Sequence, residues 1–280
     1  MNDQLLSFYE GHKEKLLDLY PGLTSQHLIE VFNFFCGGAS SYSRLVHFQS
    51  KVLLGIPLAY ITHEKFFFED SFYVNESVLI PRQESEILVE MALKELSEEL
   101  KKTKRPKVID IGCGSGCLGL SLANTYEAQM SLFMSDIGDS ALSVARVNES
   151  KLRYRRNPKT SVTLLRSDRL YSVSEKEFDL IITNPPYIKK NKGMDGVHGQ
   201  VHQFEPHLAL YLDDKSYDAW FSDFFSQSAD TLKSGGVFLM EGHEDELPGL
   251  LELAKNSFAS VELKKDYTGR WRFLKGFKDG

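Results

Sequence analysis

The stretch TNPPYI, residues 183–188, carries the residue types needed to hold a planar –NH2 group. Its asparagine has a side-chain carbonyl oxygen, its two prolines have no backbone N–H, and its tyrosine has a flat aromatic face. A residue that precedes proline is pushed into an extended conformation, so the asparagine is expected to project its side chain from a stiff loop. The stretch therefore predicts a rigid set of hydrogen-bond acceptors beside an aromatic plate, formed by Asn184, Pro185, Pro186 and Tyr187.

The chemistry that such a loop suits is transfer of a methyl group to an amide or aromatic amine nitrogen. The lone pair of that nitrogen is delocalised, and holding both of its protons on acceptors raises the electron density on it and aims it at an electrophile. Most of the catalysis is then positioning. No strong base is needed, because the methylated nitrogen carries positive charge and loses its proton easily. Taken alone, the stretch is equally typical of a turn that ends a strand, so a donor site has to be found elsewhere in the chain.

A second motif, VIDIGCGSGCLGL at residues 108–120, supplies that site. It is a glycine-rich strand-to-helix turn, but it is neither the G-x-G-x-x-G dinucleotide fingerprint nor a phosphate-binding loop. Its acidic residue would repel a pyrophosphate but suits an ammonium group, and an aspartate at the end of the next strand can accept both hydroxyls of a ribose. An ammonium group and a ribose without phosphate describe S-adenosylmethionine, with S-adenosylhomocysteine as product. The predicted cofactor contacts are Asp110, Gly112, Cys113, Gly114, Ser115, Gly116 and Asp136.

Two further cofactor candidates follow the next predicted strand. Asp168 lies where a carboxylate could accept the adenine amino group, and Arg169 could lie against the base. A helix cap with a solvated neighbour explains the pair equally well.

The elements that must position these motifs change in character along the chain. Helical patterns over 4–20, 25–36 and 41–55 predict a small helical domain over 1–64. Aromatic and β-branched residues over 65–80 predict a β-hairpin linker. Alternating strand and helix patterns within 81–280 predict an α/β domain with a mostly parallel sheet covered on both faces, and one antiparallel strand near its edge.

Composition excludes several other classes of protein. The net charge of −6 disfavours stable binding of nucleic acid, and three cysteines are too few for a disulfide framework. The N-terminus does not resemble a signal peptide, and no apolar run approaches the ~20 residues that cross a bilayer. We therefore expect a cytoplasmic monomer with no membrane contact. His198, His202 and His207 are close in sequence, but the glycines around them disfavour a helix, and no metal is expected.

The combination of the two motifs resembles the methyltransferases that modify planar nitrogens, which include DNA adenine and protein glutamine enzymes. Three more stretches are similar to segments of the bacterial protein-(glutamine-N5) methyltransferases that act on peptide chain release factors. These stretches are LLGIPLAYITHEKFFF, VLIPRQESEILVE and QVHQFEPHLAL. The resemblance covers most of the chain, and the motifs occur in the order typical of the family.

The resemblance implies a seven-stranded, Rossmann-like class I methyltransferase domain, preceded by a helical substrate-recognition domain and a hairpin linker. It implies that the glycine turn binds S-adenosylmethionine together with Asp136, Arg169 and Asn184, and that residues 184–187 hold a glutamine amide. The implied substrate is the glutamine of the Gly-Gly-Gln motif in class 1 release factors, whose methylation modulates translation termination. The chain departs from the family at Arg169, where relatives often have a large aromatic residue, and at Gln83, where proline is common.

Three other functions remain open on the sequence. Glutamine methylation of a ribosomal protein would use the same chemistry. Adenine-N6 methylation of nucleic acid would use the same loop, although the chain is acidic and has no obvious target-recognition domain. A non-catalytic cofactor-binding adaptor would have no need of an amide-gripping loop.

Overall fold

A computed structural model of the chain describes residues 1–38, 40–98, 100, 103–191 and 196–279. Its N-terminal part is helical and consists of α1 (Asn2–Gly11), α2 (Lys13–Leu19), α3 (Ser25–Cys36), α4 (Tyr42–Leu53) and α5 (Leu58–Thr62). These helices bury a core of their own around Leu5, Phe32 and Phe48. The helix predicted over 4–20 is interrupted at His12, whose backbone leaves the helical region at φ −127°.

A hairpin follows the helices and is shorter than predicted. Its strands, β1 (Glu64–Phe67) and β2 (Asp70–Tyr73), pair antiparallel. Residues 74–80 form no strand, and side chains from other parts of the chain bond two of their backbone groups. Tyr60 donates its hydroxyl to the carbonyl oxygen of Val78 at 2.6 Å, and the N–H of Ile80 donates to the carboxylate of Glu205 at 3.0 Å.

The remainder is built on a seven-stranded sheet. Its strands are β3 (Lys107–Ile111), β4 (Ser131–Asp136), β5 (Ser161–Arg166), β6 (Phe178–Thr183), β9 (Leu232–Glu241), β10 (Ser260–Lys265) and β11 (Trp271–Phe277), and a separate short pair joins β7 (Ile188–Lys189) to β8 (Tyr211–Leu212). The helices of this part are α6 (Glu86–Glu98), α7 (Cys117–Thr125), α8 (Asp139–Leu152), α9 (Gly199–Phe204), α10 (His207–Leu210), α11 (Tyr217–Thr231) and α12 (Leu247–Ala254).

In the strand order β10-β11-β9-β6-β3-β4-β5, the predicted motifs follow β3, β4 and β6. They therefore lie together at the carboxyl ends of three neighbouring strands. The chain runs from β3 outward through β4 to β5 and then returns to β6 on the other side, so the order reverses beside β3. In open α/β sheets, ligands bind at the carboxyl ends of the strands at such a reversal. Strand β11 is antiparallel to both of its neighbours, β9 and β10, as predicted for one strand near the edge.

Two apolar layers cover the sheet. One contains α6, α7 and α8, and the other contains α11 and α12 with a run of phenylalanines in contact with β9. Strand β6 is buried at all six positions, which fixes the loop that follows it to a rigid base. Among the described residues, no helix is long and apolar enough to cross a membrane.

Candidate active site

A cleft of about 350 Å³ opens at the carboxyl ends of β3, β4 and β6. Residues 112–115 of the glycine turn, Asp136, residues 167–169 and residues 183–186 line it, whereas Gly116 packs against Leu120. A second cavity of about 160 Å³ adjoins it. The residues that line both are Leu79, Arg82, Asn184, Pro185 and Ala209. The two motifs predicted from the sequence therefore meet in one place, with Asn184 and Pro185 between a large cavity and a small one.

The glycine turn connects β3 to α7 in a conformation that favours glycine. Gly112, Gly114 and Gly116 have φ values of +67°, +53° and +78°. A Cβ on Gly112 or Gly114 would meet no protein atom within 4 Å, so both face open space in the cleft. The turn is pinned to β4, since the N–H of Cys113 donates to the carbonyl oxygen of Ser135 at 2.9 Å. Its exposed backbone leaves room for a ligand to approach closely.

Asp136 ends β4 beside this turn. Its two carboxylate oxygens accept the N–H groups of Gly114 and Gly138, each at 2.9 Å. Burial raises the pKa of its carboxyl, and the two N–H donors oppose that shift. The carboxylate is therefore held in a fixed orientation at the cleft wall, with further lone pairs available to hydroxyl donors.

Asp110 occupies a different position from the one expected. It is fully buried and is not among the described residues that line the cleft. One carboxylate oxygen accepts the N–H of Gly119 at 2.9 Å, and the other has no hydrogen-bond partner within the described part of the chain. Burial raises the pKa of Asp110 to about 7. Asp110 therefore lies under the turn and holds the start of α7 against β3, and its contact with a ligand ammonium group stays a prediction.

Cys113 and Ser115 complete the turn and line the cleft. Both residues are buried, and burial raises the pKa of the Cys113 thiol well above its usual range. The thiol is consequently protonated at neutral pH and is a poor nucleophile.

Arg169 and Asp168 lie on the cleft wall and are joined to each other. The guanidinium of Arg169 contacts Asp223 at 2.5 Å and Asp168 at 3.2 Å. It also lies over the rings of Trp220 and Tyr171, with its central carbon 5.1 and 5.0 Å from their centroids. A planar guanidinium stacked in this way presents a flat, fixed surface to the cleft, which suits contact with a planar group.

The loop after β6 is attached to the glycine turn and to α11. Thr183 donates its hydroxyl to the carbonyl oxygen of Ile111 at 2.8 Å, and Tyr217 donates to the carbonyl oxygen of Tyr187 at 3.0 Å. Asn184 donates its side-chain N–H to the hydroxyl oxygen of Ser85 at 3.3 Å. Within the described ranges, no donor reaches the side-chain oxygen of Asn184, which remains available beside the cleft.

Sequence reasoning missed two residues that connect to this loop, and one of them, Ser85, also lines the cleft. Ser85, in the short 3₁₀ turn before α6, donates its hydroxyl to Glu241 at 2.5 Å. Glu241 ends β9 and is 1% exposed, and its second carboxylate oxygen lies 3.4 Å from the hydroxyl of Tyr187. The available signal was an acidic residue at the end of the apolar run GVFLMEG, where a buried carboxylate needs partners.

A third missed contact joins two of the stretches that carry the family resemblance. Glu205 is buried and accepts the N–H of Ile80 at 3.0 Å and the guanidinium of Arg82 at 2.6 Å. This ion pair holds residues 80–82 over the cleft. The expectation that the glycines keep the nearby histidines out of a helix is wrong, because His202 lies in α9 and His198 caps that helix. His202 and His207 stack at 4.8 Å, and among the described residues no group of metal-binding side chains is placed to hold an ion.

Comparison with known proteins agrees with this geometry. A release factor glutamine methyltransferase of Flavobacterium psychrophilum is 35% identical over 223 residues, covering 78% of this chain and 74% of the relative. One of Leptospira interrogans is 35% identical over 224 residues, covering 78% of this chain and 73% of the relative. The chain belongs to the release factor glutamine methyltransferase family. The predicted identity as a methyltransferase is thereby confirmed.

Two further comparisons concern the part of the chain that contains the candidate active site. Residues 85–208 match the family model described as methyltransferase small domain. A 16S rRNA N2 G1207 methyltransferase of Thermus thermophilus, solved with AdoMet and guanosine, has a TM-score of 0.52 at 19% identity and covers 77% of this chain and 49% of its own. This likeness concerns the fold alone, and it confirms the predicted Rossmann-like sheet.

Proposed function

We propose that this chain methylates the side-chain amide nitrogen, N5, of the glutamine in the Gly-Gly-Gln motif of class 1 peptide chain release factors, and so modulates translation termination. The observation that carries the proposal is the position of Asn184 and Pro185, which line both the large cleft and the small cavity beside it. A residue at such a junction can contact a bound cofactor and an incoming side chain at the same time.

The large cleft is the proposed site for S-adenosylmethionine. Gly112 and Gly114 offer open backbone, Asp136 offers fixed acceptors for ribose hydroxyls, and Arg169 offers a flat cation for the adenine face. When bound, S-adenosylmethionine supplies an electrophilic methyl group. Direct contact of Asp110 with the cofactor is left out of this proposal, because Asp110 is not among the described residues that line the cleft.

The small cavity is the proposed site for the glutamine side chain. Its lining is mostly apolar, with Leu79, Ile188 and Leu210 around Tyr187. The polar exceptions include Asn184, whose free side-chain oxygen can accept one N–H of the amide, while a proline carbonyl oxygen accepts the other. Held in this way, the amide nitrogen would gain a bond to the methyl carbon as the bond between that carbon and the cofactor sulfur breaks. S-adenosylhomocysteine would leave, the nitrogen would release a proton, and the chain would contribute orientation instead of a strong base.

The helical segment 1–64 is the proposed substrate-recognition domain. It is connected to the cleft wall, since Tyr60 at its end bonds the carbonyl oxygen of Val78, which lines the cleft. Gln200 donates its side-chain amide to the carbonyl oxygen of Gly55 at 2.8 Å and forms a second connection. We further propose that the protein acts as a monomer in the cytoplasm, where release factors are found.

The deciding experiment supplies methyl-labelled S-adenosylmethionine with a class 1 release factor, ribosomal proteins or DNA in separate reactions. We expect one labelled methyl group per release factor, located on the glutamine of its Gly-Gly-Gln motif by mass spectrometry. A release factor in which that glutamine is alanine should take up no label. Label that enters only ribosomal protein or only DNA would overturn the proposal.

A further inference from the structure

The amide group of Asn184 has two chemically different ends, and the proposed reaction needs a particular one to face the substrate. The oxygen can accept an N–H from a glutamine amide, whereas the –NH2 end would meet that amide donor to donor. An asparagine side chain can rotate by half a turn at little steric cost. Something in the protein must therefore distinguish the two orientations.

A chain of hydrogen bonds behind Asn184 makes this distinction. Glu241 is a buried carboxylate, and burial raises its pKa, but the hydrogen bonds from Ser85 and Tyr187 and the charge of Arg272 favour its ionised form. An ionised carboxylate only accepts, so the Ser85 hydroxyl proton points toward it across 2.5 Å. The Ser85 oxygen is then left with lone pairs alone and can only accept from its other neighbour. That neighbour is Asn184, whose –NH2 end lies 3.3 Å away. The side-chain oxygen of Asn184 is thereby turned away from Ser85.

The same carboxylate also contacts the other end of the loop. Its second oxygen lies 3.4 Å from the hydroxyl of Tyr187, which can donate to it. One buried group on β9 thus serves as a reference point for both Asn184 and Tyr187, although β9 and the loop come from separate parts of the chain.

We propose that Ser85 and Glu241 are positioning residues, which set the amide orientation of Asn184 through the polarity of this hydrogen-bond chain. The inference rests on the proposed amide-methylating function, because the orientation matters only if Asn184 accepts an N–H from the substrate. Neither residue needs to touch the reacting atoms. Their effect is on the fraction of enzyme molecules in which the acceptor faces the substrate.

The test measures kcat, the KM for release factor, the cofactor Kd and the melting temperature for four single variants and one double variant. Ser85→Ala should lower kcat roughly tenfold to a hundredfold, the range expected when a reacting group loses its alignment, with little change in cofactor Kd. Ser85→Thr keeps the hydroxyl and should restore kcat to within about threefold of the wild type. Ser228→Ala is the matched control, since it removes another buried serine hydroxyl, bonded to the carbonyl oxygen of Phe224, far along the chain from the loop.

Glu241→Gln tests the polarity directly. A glutamine can donate to Ser85, which frees the serine proton to point at Asn184 and permits the wrong amide orientation. This variant should therefore lose kcat like Ser85→Ala, and the double variant should be no worse than Ser85→Ala alone, because both changes act through one chain.

Several outcomes would overturn the inference. These are a Ser85→Ala kcat within about twofold of the wild type, a Ser85→Thr variant as impaired as Ser85→Ala, or a double variant whose loss is the product of the single losses. A fall in melting temperature with unchanged kcat would assign the two residues to folding alone. Failure of the proposed function is recognised separately, since the wild-type protein would then transfer no methyl group to release factor at all.

Discussion

The two ends of the candidate active site are built in opposite ways. At the cofactor end, the glycine turn offers main-chain groups and empty space, and Asp136 is fixed by two backbone N–H donors. At the acceptor end, the loop is made of rigid prolines, and its polar groups are fixed by the side chains of Ser85 and Glu241. Open space around the backbone is the decisive feature at the cofactor end, and the direction of the side-chain hydrogen bonds is the decisive feature at the acceptor end.

Two buried carboxylates at strand ends show the same contrast. Asp110, on β3, is bonded to one backbone N–H and has a second oxygen without a partner in the described residues. Glu241, on β9, has a side-chain partner for each of its oxygens. Burial raises the pKa of both carboxyls. The first supports a turn of the backbone, whereas the second is placed to control what neighbouring side chains present to the cleft.

The largest expected effect comes from removing the acceptor itself. Asn184→Ala should lower kcat by at least about a hundredfold, the size seen when one preorganised hydrogen bond to a reacting group is lost. Cofactor Kd should change by less than about threefold, because the glycine turn and Asp136 remain intact. Methyl-transfer assays and calorimetric titration with S-adenosylmethionine measure the two quantities.

The matched control for this variant is Asn256→Ala, an exposed asparagine that follows α12. It should retain wild-type transfer. Full activity in Asn184→Ala would refute the role of Asn184 in holding the amide. A loss of cofactor affinity as large as the loss of kcat would show that Asn184 acts mainly in cofactor binding.

The second prediction concerns the open space at the glycine turn. Gly114→Ala adds a methyl group where no protein atom lies within 4 Å, so the added group meets the ligand instead of the protein. Cofactor Kd should rise about tenfold, in addition to a cost in stability of about 1–2 kcal/mol for a left-handed alanine. Gly269→Ala isolates the backbone cost, since Gly269 also has a positive φ, +86°, and open space around it, but lies in the turn between β10 and β11. A similar change in cofactor affinity in both variants would contradict the assignment of Gly114 to the cofactor site.

The sequence predicted much of the fold, because strand and helix periodicity and the glycine turn are local signals. Asn184 and Asp136 could be assigned to one cleft, since each follows a buried strand of a parallel sheet. The hydrogen bond between Ser85 and Glu241 could not be predicted, because 156 residues separate the two and the local sequence around each one does not indicate its partner. The two-residue strands β7 and β8 have no periodicity to detect, and the burial of Asp110 depends on how α7 packs.

The contrast between the two carboxylates predicts a pH dependence of stability. The pKa of Asp110 is raised to about 7 in the folded protein, above the usual value of about 3.9 for an unfolded chain. The folded state therefore binds more protons between these values, and the contribution of Asp110 to the free energy of unfolding falls as pH rises toward 7. Asp110→Asn keeps an acceptor for Gly119 and cannot ionise. Between pH 5.5 and about pH 8, the free energy of unfolding of this variant should increase relative to that of the wild type by on the order of 1–2 kcal/mol, as measured by urea unfolding. If the free energies of unfolding of the two proteins changed with pH in the same way, Asp110 would be solvated in the folded state.

The smallest expected effect separates the ring of Tyr187 from its hydroxyl. Burial raises the pKa of Tyr187, so the hydroxyl stays protonated and can donate to Glu241, but the 3.4 Å separation makes this a weak hydrogen bond. Tyr187→Phe should therefore lower kcat only about two- to fivefold, equivalent to ~0.5–1 kcal/mol, while Tyr187→Ala should lose considerably more, because it removes the wall of the small cavity. If the phenylalanine variant were as impaired as the alanine variant, the hydroxyl would be the essential group. Hydrogen-bond polarity would then govern Tyr187 as it governs Asn184, and the aromatic face would contribute little to holding the amide.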